Sequence, residues 1–183
     1  MTLSSKEKLA WTAAKLFQER GFHGVGLAEI LKASNLPKGS LYHHFPSGKA
    51  DLALEAAALA HREMTRIIED AFVNAETYEA GATTLFFKLA KLFEIMGKHT
   101  ACPISETLFS GPNNDVFREH SAMYFEKWIS QIASYAEQLD EPPDIARQHA
   151  ERLFLTLQGG WVLARAKRDG DVIRNLSKLL FDQ

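Results

Sequence analysis

The chain has 183 residues, 46% of them hydrophobic and 24% charged, a composition that excludes a disordered chain. No apolar run approaches the roughly 18 residues that cross a bilayer. The N-terminal stretch MTLSSKEKLAWTAAKLF turns charged and amphipathic without a signal-peptide pattern, and a single cysteine, Cys102, excludes an internal disulfide, so a cytoplasmic protein is expected. The net charge of −2 is uneven: residues 1–52 carry seven Lys/Arg against four Asp/Glu, and the remainder carries fourteen against nineteen. A mildly basic head on an acidic body suits an anion-binding module joined to something else.

Helical periodicity dominates from the start. Ser4 and Glu7 form a capping-box pattern, after which Leu9, Ala13, Leu16 and Phe17 recur at steps of three and four. Gly21 followed by Phe22 predicts a Schellman-type stop. A short helix follows at LAEILKAS, then a break at NLP, because Pro37 disfavours helical backbone at Leu36. KGSLYHHF reads as another short helix. From Gly48 to about Phe72 the chain runs without proline or internal glycine, which predicts one long helix. Breaks at HTACP, SGPNND, LDEPPD and RDGD leave helices over about 79–98, 103–109, 114–139, 143–168 and 171–182. No stretch alternates as a strand does. The expected fold is all-α, with about nine helices.

The two short helices and their tight turn form a helix-turn-helix candidate. At about 100° per residue, Leu41 and Phe45 lie on one face of the second helix. Gly39, Ser40, His43 and His44 fall toward the opposite side, with Tyr42 and Lys38 on a flank. A hydroxyl, two imidazoles, a phenol and an ammonium suit phosphate oxygens and base edges, and Gly39 lets the backbone approach closely. Pro37 leaves the first-turn N–H groups free toward an anion. Lys49 opens the long helix and can grip a second phosphate. His43 and His44 are adjacent, so they diverge on the helix and are not expected to chelate one metal ion. No metal and no cofactor are expected.

The segment AAKLFQERGFHGVGLAEILKASNLPKGSLYHHFPSGKADL resembles the DNA-binding domain of the TetR/AcrR family of bacterial transcription regulators, and its G-S-L-Y-x-H-F core followed by a lysine is the specific part. The resemblance implies that Lys38, Gly39, Ser40, Tyr42 and His43 face an operator, with Tyr42, His44 and Lys49 on phosphates. It also implies a division into a DNA-binding domain, residues 1–48, and a ligand-binding and dimerisation domain, residues 49–183. One departure stands out. The family's threonine at the opening of the second helix caps it and touches phosphate; Leu27 is read at that position, with Gly26 as a weaker cap.

Beyond residue 52 there is no phosphate loop, nucleophile elbow or His-Glu-x-x-His, so no enzyme is expected. His99 and Cys102 are the one pair that invites redox chemistry. Aromatic and methionine residues accumulate in this half. At helical spacing they are core first, but they also suit a pocket for a hydrophobic or amphipathic effector. Phe86, Phe93, Met96, Phe109, Met123, Tyr124, Trp128 and Trp161 are the candidates, with His120 and Gln158 as polar anchors. The segment AERLFLTLQGGWVLARAKRDGDVIRNLSKLLF resembles the last two helices of the LmrA- and YxaF-like branch of the same family. There the last two helices pair across a two-fold axis, which implies a homodimer. Leu157, Gly160, Leu163, Ala164, Ile173, Leu176 and Leu180 are the expected interface residues. The reading is a dimeric repressor of a palindromic operator in double-stranded DNA, released by its effector. An activator, a ligand-independent regulator, and an all-α carrier or enzyme with a silent head remain alternatives.

Overall fold

In the computed structural model, which describes residues 3–98 and 115–181, every regular element is a helix. Helix α1 spans Ser5–Arg20, α2 Leu27–Ser34, α3 Lys38–His44, α4 Lys49–Phe72 and α5 Tyr78–Ile95. Helix α6 spans Asp115–Gln138, α7 Pro143–Lys167, α8 Asp171–Arg174 and α9 Leu176–Phe181. The expected helix over 103–109, Phe109, and the His99–Cys102 pair lie outside the described residues. No described helix is long and apolar enough to cross a membrane.

The helix ends follow local chemistry. Ser4 caps α1 with both bonds of the capping box: Glu7 N–H donates to the Ser4 hydroxyl at 3.2 Å, and Ser4 N–H donates to the Glu7 carboxylate at 2.8 Å. Gly21 does not make the expected Schellman stop. Its φ of 71° suits glycine, but its ψ of 165° is extended, and its N–H only closes the last ordinary turn on Phe17. The Schellman geometry occurs after α2 instead. Asn35 takes the left-handed conformation, and the N–H of Leu36 reaches back to the carbonyl of Leu31 at 3.3 Å. Thr77 caps α5 by accepting from Ala80 N–H at 3.1 Å, and α5 stops at Ile95 because Gly97 and Lys98 both take positive φ. The last expected helix, 171–182, divides at Asn175. The Asn175 side chain donates to the carbonyl of Asp171 at 2.8 Å and competes with helical continuation.

The chain divides into two units. The first runs to Arg62 and takes in the start of α6 as far as Ala122; the second takes Glu63 onward through α5, and Met123 to the end of the chain. In the first unit, Leu9, Phe17, Ile30, Leu41, Phe45 and Leu52 are buried together, so α1, α2, α3 and the first turns of α4 close on one core. Glu55 on α4 forms ion pairs with Lys6 at 3.1 Å and with Arg62 at 3.6 Å.

The second unit is stitched at several levels. Gln131 on α6 donates to the carbonyl of Thr65 on α4 at 3.0 Å, and Phe72 stacks on Tyr135 at 5.5 Å. Arg147 on α7 grips the Glu126 carboxylate with both terminal nitrogens, at 2.5 and 2.9 Å, and its Nε donates to Glu151. Arg174 on α8 donates to Glu94 on α5 at 3.0 Å. Two glycines let elements touch. A Cβ on Gly81 would lie 2.3 Å from the Phe72 ring, and one on Gly160 would lie 2.6 Å from the end of the Leu176 side chain.

Candidate nucleic-acid interface

Helix α3 presents two unlike sides. Leu41 and, just past its end, Phe45 are fully enclosed in the first unit's core, and they fix the helix by its inner face. Lys38, Gly39, Tyr42 and His43 are exposed, and Ser40, His44 and Lys49 are half-buried. All seven expected nucleic-acid residues therefore retain surface, and they occupy one short helix and the start of the next.

The exposed groups constrain one another. The Lys38 ammonium lies 5.7 Å from the centre of the Tyr42 ring, one turn further along α3. The His43 and His44 rings meet edge to face with centroids 4.8 Å apart, closer than a helical wheel suggests. Among the described residues no group of three or more His, Cys, Asp or Glu side chains converges as metal ligands do. A Cβ on Gly39 would meet nothing within 4 Å. Glycine inside a helix costs about 1 kcal/mol against alanine. No contact among the described residues requires it at this position, which leaves room for an approach from outside.

The turn into α4 is narrow. Gly48 has φ 68° and is buried; a Cβ there would lie 3.3 Å from Leu27 and 3.8 Å from the Tyr42 ring. This corrects the reading of Leu27. The capping position of α2 is Gly26, which has extended backbone and no side-chain bond, and Leu27 is the first helical residue, its side chain packed on the core. The missing hydroxyl is thus at Gly26, one residue earlier than the sequence reading placed it. Lys49 follows, its ammonium 4.3 Å from the centre of the Phe22 ring. Burial holds its pKa below the ordinary lysine range. Sequence reasoning treated Phe22 only as a residue packing back on α1, which it does against Phe17 at 5.6 Å. Nothing in the linear pattern announced the lysine.

The expected effector residues fall into separate groups. Phe86 and Phe93 are fully buried, Tyr124 and Trp128 nearly so, and Met96, Trp161 and Gln158 are half-buried. Phe93 meets Trp161 edge to face at 5.4 Å, while Trp128 packs with Phe125 and Phe154, two aromatics the sequence reading did not select. Met123 is exposed: the buried stripe of α6 runs through Tyr124, Trp128, Ile132 and Ala136, and Met123 points about 100° away from it. His120 is half-buried and belongs to the first unit.

The residues expected at the dimer face are mostly enclosed within the chain. Leu157, Gly160, Ala164, Ile173, Leu176 and Leu180 are buried inside this chain, where Gly160 makes room for Leu176. Only Leu163 of the seven is exposed. Helix α7 has a second apolar stripe on its opposite side: Leu155, Gly159, Val162 and Ala166 are all exposed and lie within about 60° of one another. Leu179 on α9 is exposed as well.

Comparison with known proteins agrees with this architecture. Residues 12–56 match the family model for bacterial regulatory proteins of the tetR family, and residues 80–179 match that for the LmrA/YxaF-like transcriptional regulator C-terminal domain. The HTH-type transcriptional regulator YxaF of Bacillus subtilis (strain 168) is 30% identical over 170 residues, covering 90% of this chain and 87% of YxaF. LmrA of the same organism is 27% identical over 182 residues, covering 97% of this chain and 95% of LmrA. Among solved structures, a cysteine mutant of the TetR-family regulator CifR, complexed with 26-base-pair operator DNA, shares the fold with a TM-score of 0.80 at 19% identity, covering 94% of this chain and 92% of that one. The C-terminal match spans more than half of the residues here, and the chain belongs to the TetR family of bacterial transcription regulators, in its LmrA/YxaF-like branch.

Proposed function

We propose that the chain is a homodimeric repressor whose α3 reads a palindromic operator in double-stranded DNA and whose C-terminal part binds a small, largely apolar effector. The observation that carries the DNA reading is the outer face of α3, where Lys38, Tyr42 and His43 stand around a glycine that no contact among the described residues requires. Residues 1–48 form the reading head and residues 49–183 the effector-binding and dimerising body. Lys38, Tyr42, His44 and Lys49 take phosphates; Ser40 and His43 reach base edges, and Gly39 allows the close approach. The CifR complex with operator DNA supports this role for the shared fold.

Dimerisation is proposed through the outer stripe of α7. Gly159 supports this choice for the same reason that Gly39 supports DNA: a helical glycine in open space, flanked by Leu155 and Val162, invites another backbone. Two copies of α3 then enter successive major grooves about 34–36 Å apart. The effector reading rests on the aromatic groups around Phe93–Trp161 and Trp128–Phe154. A ligand releases the operator only if it binds the DNA-incompetent arrangement more tightly. Mass spectrometry of ligand carried through purification, followed by operator titration with and without that compound, tests the reading. Equal operator affinity at saturating compound removes induction from it.

A further inference from the structure

Phe22 sits at the centre of an aromatic group within the first unit. Gly21, in a backbone conformation that other residues rarely adopt, turns the chain so that Phe22 packs beside Phe17. Phe117, near the start of α6, meets the Phe22 ring edge-on at 5.4 Å, and the His23 ring meets it nearly perpendicular at 5.2 Å. The Lys49 ammonium lies 4.3 Å from the ring centre, well inside the range of cation–π attraction. Lys49 is the first residue of α4, and it directly follows Gly48, which packs beside the Tyr42 ring at the edge of α3.

An unrestrained surface lysine explores many rotamers, and ordering it on a phosphate costs affinity. An ammonium resting on a ring has already lost that freedom. It has also shed part of its water, in keeping with its lowered pKa. An ammonium carries three N–H donors, and Lys49 as a whole keeps part of its surface.

We propose that Phe22 is a positioning residue for DNA binding: its ring face holds the Lys49 ammonium ready for a backbone phosphate, and Phe17 and Phe117 hold the ring. The assignment rests on the reading of α3 and the start of α4 as the DNA surface. Phe22 itself touches no DNA. Its effect on affinity passes through Lys49 and vanishes when Lys49 is absent.

The test uses the full chain and a duplex selected by the wild-type protein from a random-sequence library. Affinity is measured by fluorescence anisotropy across a salt series for wild type, Phe22→Leu, Lys49→Ala and the double variant. Lys49→Ala is expected to reduce the steepness of log affinity against log salt by about 0.9 for each chain of the bound dimer, about 1.8 in all. Phe22→Leu is expected to weaken binding about two- to tenfold when Lys49 is present, and not at all beyond Lys49→Ala. Phe22→Trp, which keeps a cation-binding face, is expected to retain wild-type affinity. Thermal melting checks that each variant folds. If Phe22→Leu does not, the upfield ring-current shift of the Lys49 side-chain protons, read by NMR on the free wild-type protein, must be present for the proposal to stand. An equal loss from Phe22→Leu in both backgrounds overturns the positioning role while leaving DNA reading intact. A wild-type chain that prefers no duplex over bulk DNA overturns both.

Discussion

Replacing Val162 by lysine should split the dimer while leaving the fold of each chain in place. Leu155, Val162 and Leu179 are 69%, 67% and 69% exposed, so about two-thirds of each side chain is uncovered in the single chain. Fully burying a valine or leucine side chain is worth about 1.5–3 kcal/mol, which leaves about 1–2 kcal/mol for a partner to supply at each position. A two-fold axis counts every substitution twice. Val162→Lys therefore removes about 2–4 kcal/mol, before any cost of placing an ammonium against apolar surface, and raises the dimer dissociation constant about 30- to 1,000-fold. Sedimentation velocity over a range of concentrations reads this directly. Leu157→Ala is the control. Leu157 lies on the inner side of the same helix, 3% exposed, so its truncation should cost about 2–5 kcal/mol of folding stability and leave association unchanged. A Val162→Lys dimer that dissociates within threefold of wild type, or a Leu157→Ala variant that separates just as readily, would refute the assignment of the outer stripe.

Other expectations concern smaller parts of the molecule. Gly81→Ala should lower stability by about 1–3 kcal/mol in urea unfolding, because the new methyl meets a Phe72 ring already held by Tyr135 and Tyr78. Gly26→Ser should add a few tenths of a kcal/mol, since its backbone is extended, its Cβ space is open, and a hydroxyl can cap α2; no change in thermal midpoint would count against this cap assignment. The hydrogen bond from Arg147 holds the Glu126 carboxyl below its usual pKa, so the stabilisation is complete above the ordinary carboxylate range and is lost as pH falls through the depressed value. Glu126→Gln should then lower the melting midpoint at neutral pH by an amount worth under about 1 kcal/mol for this exposed pair, and the gap should close as pH falls through the depressed value.

Local patterns were legible where one short-range rule governs. Ser4 and Glu7 announced their capping box, Pro37 marked the break before α3, and Leu41 and Phe45 identified the inner face of α3. Helix α7 resisted because it is apolar on two opposite sides. Periodicity finds both the stripe through Leu157, Gly160 and Ala164 and the stripe through Leu155, Gly159 and Val162, but it does not say which one the chain buries against itself. Gly160 looked like a meeting point between chains, and it is one within a chain, because Leu176 needs the space. Gly21 failed as a Schellman glycine for a related reason: a positive φ can be read from composition, whereas the ψ that sets the next direction depends on where Phe22 finds its neighbours.

Gly48 also has a mechanical meaning. It precedes a helix of 24 residues, a rod about 36 Å long at a rise of about 1.5 Å per residue. A rotation of about 5° at one end of such a rod sweeps the other end through about 3 Å, so its starting direction matters over its whole length. The left-handed backbone at Gly48 strongly favours glycine, and Leu27 and Tyr42 press on it from the α2 and α3 sides. Any side chain at position 48 would crowd Leu27 and adopt a strained backbone, so the direction in which α4 leaves α3 is fixed by the absence of one.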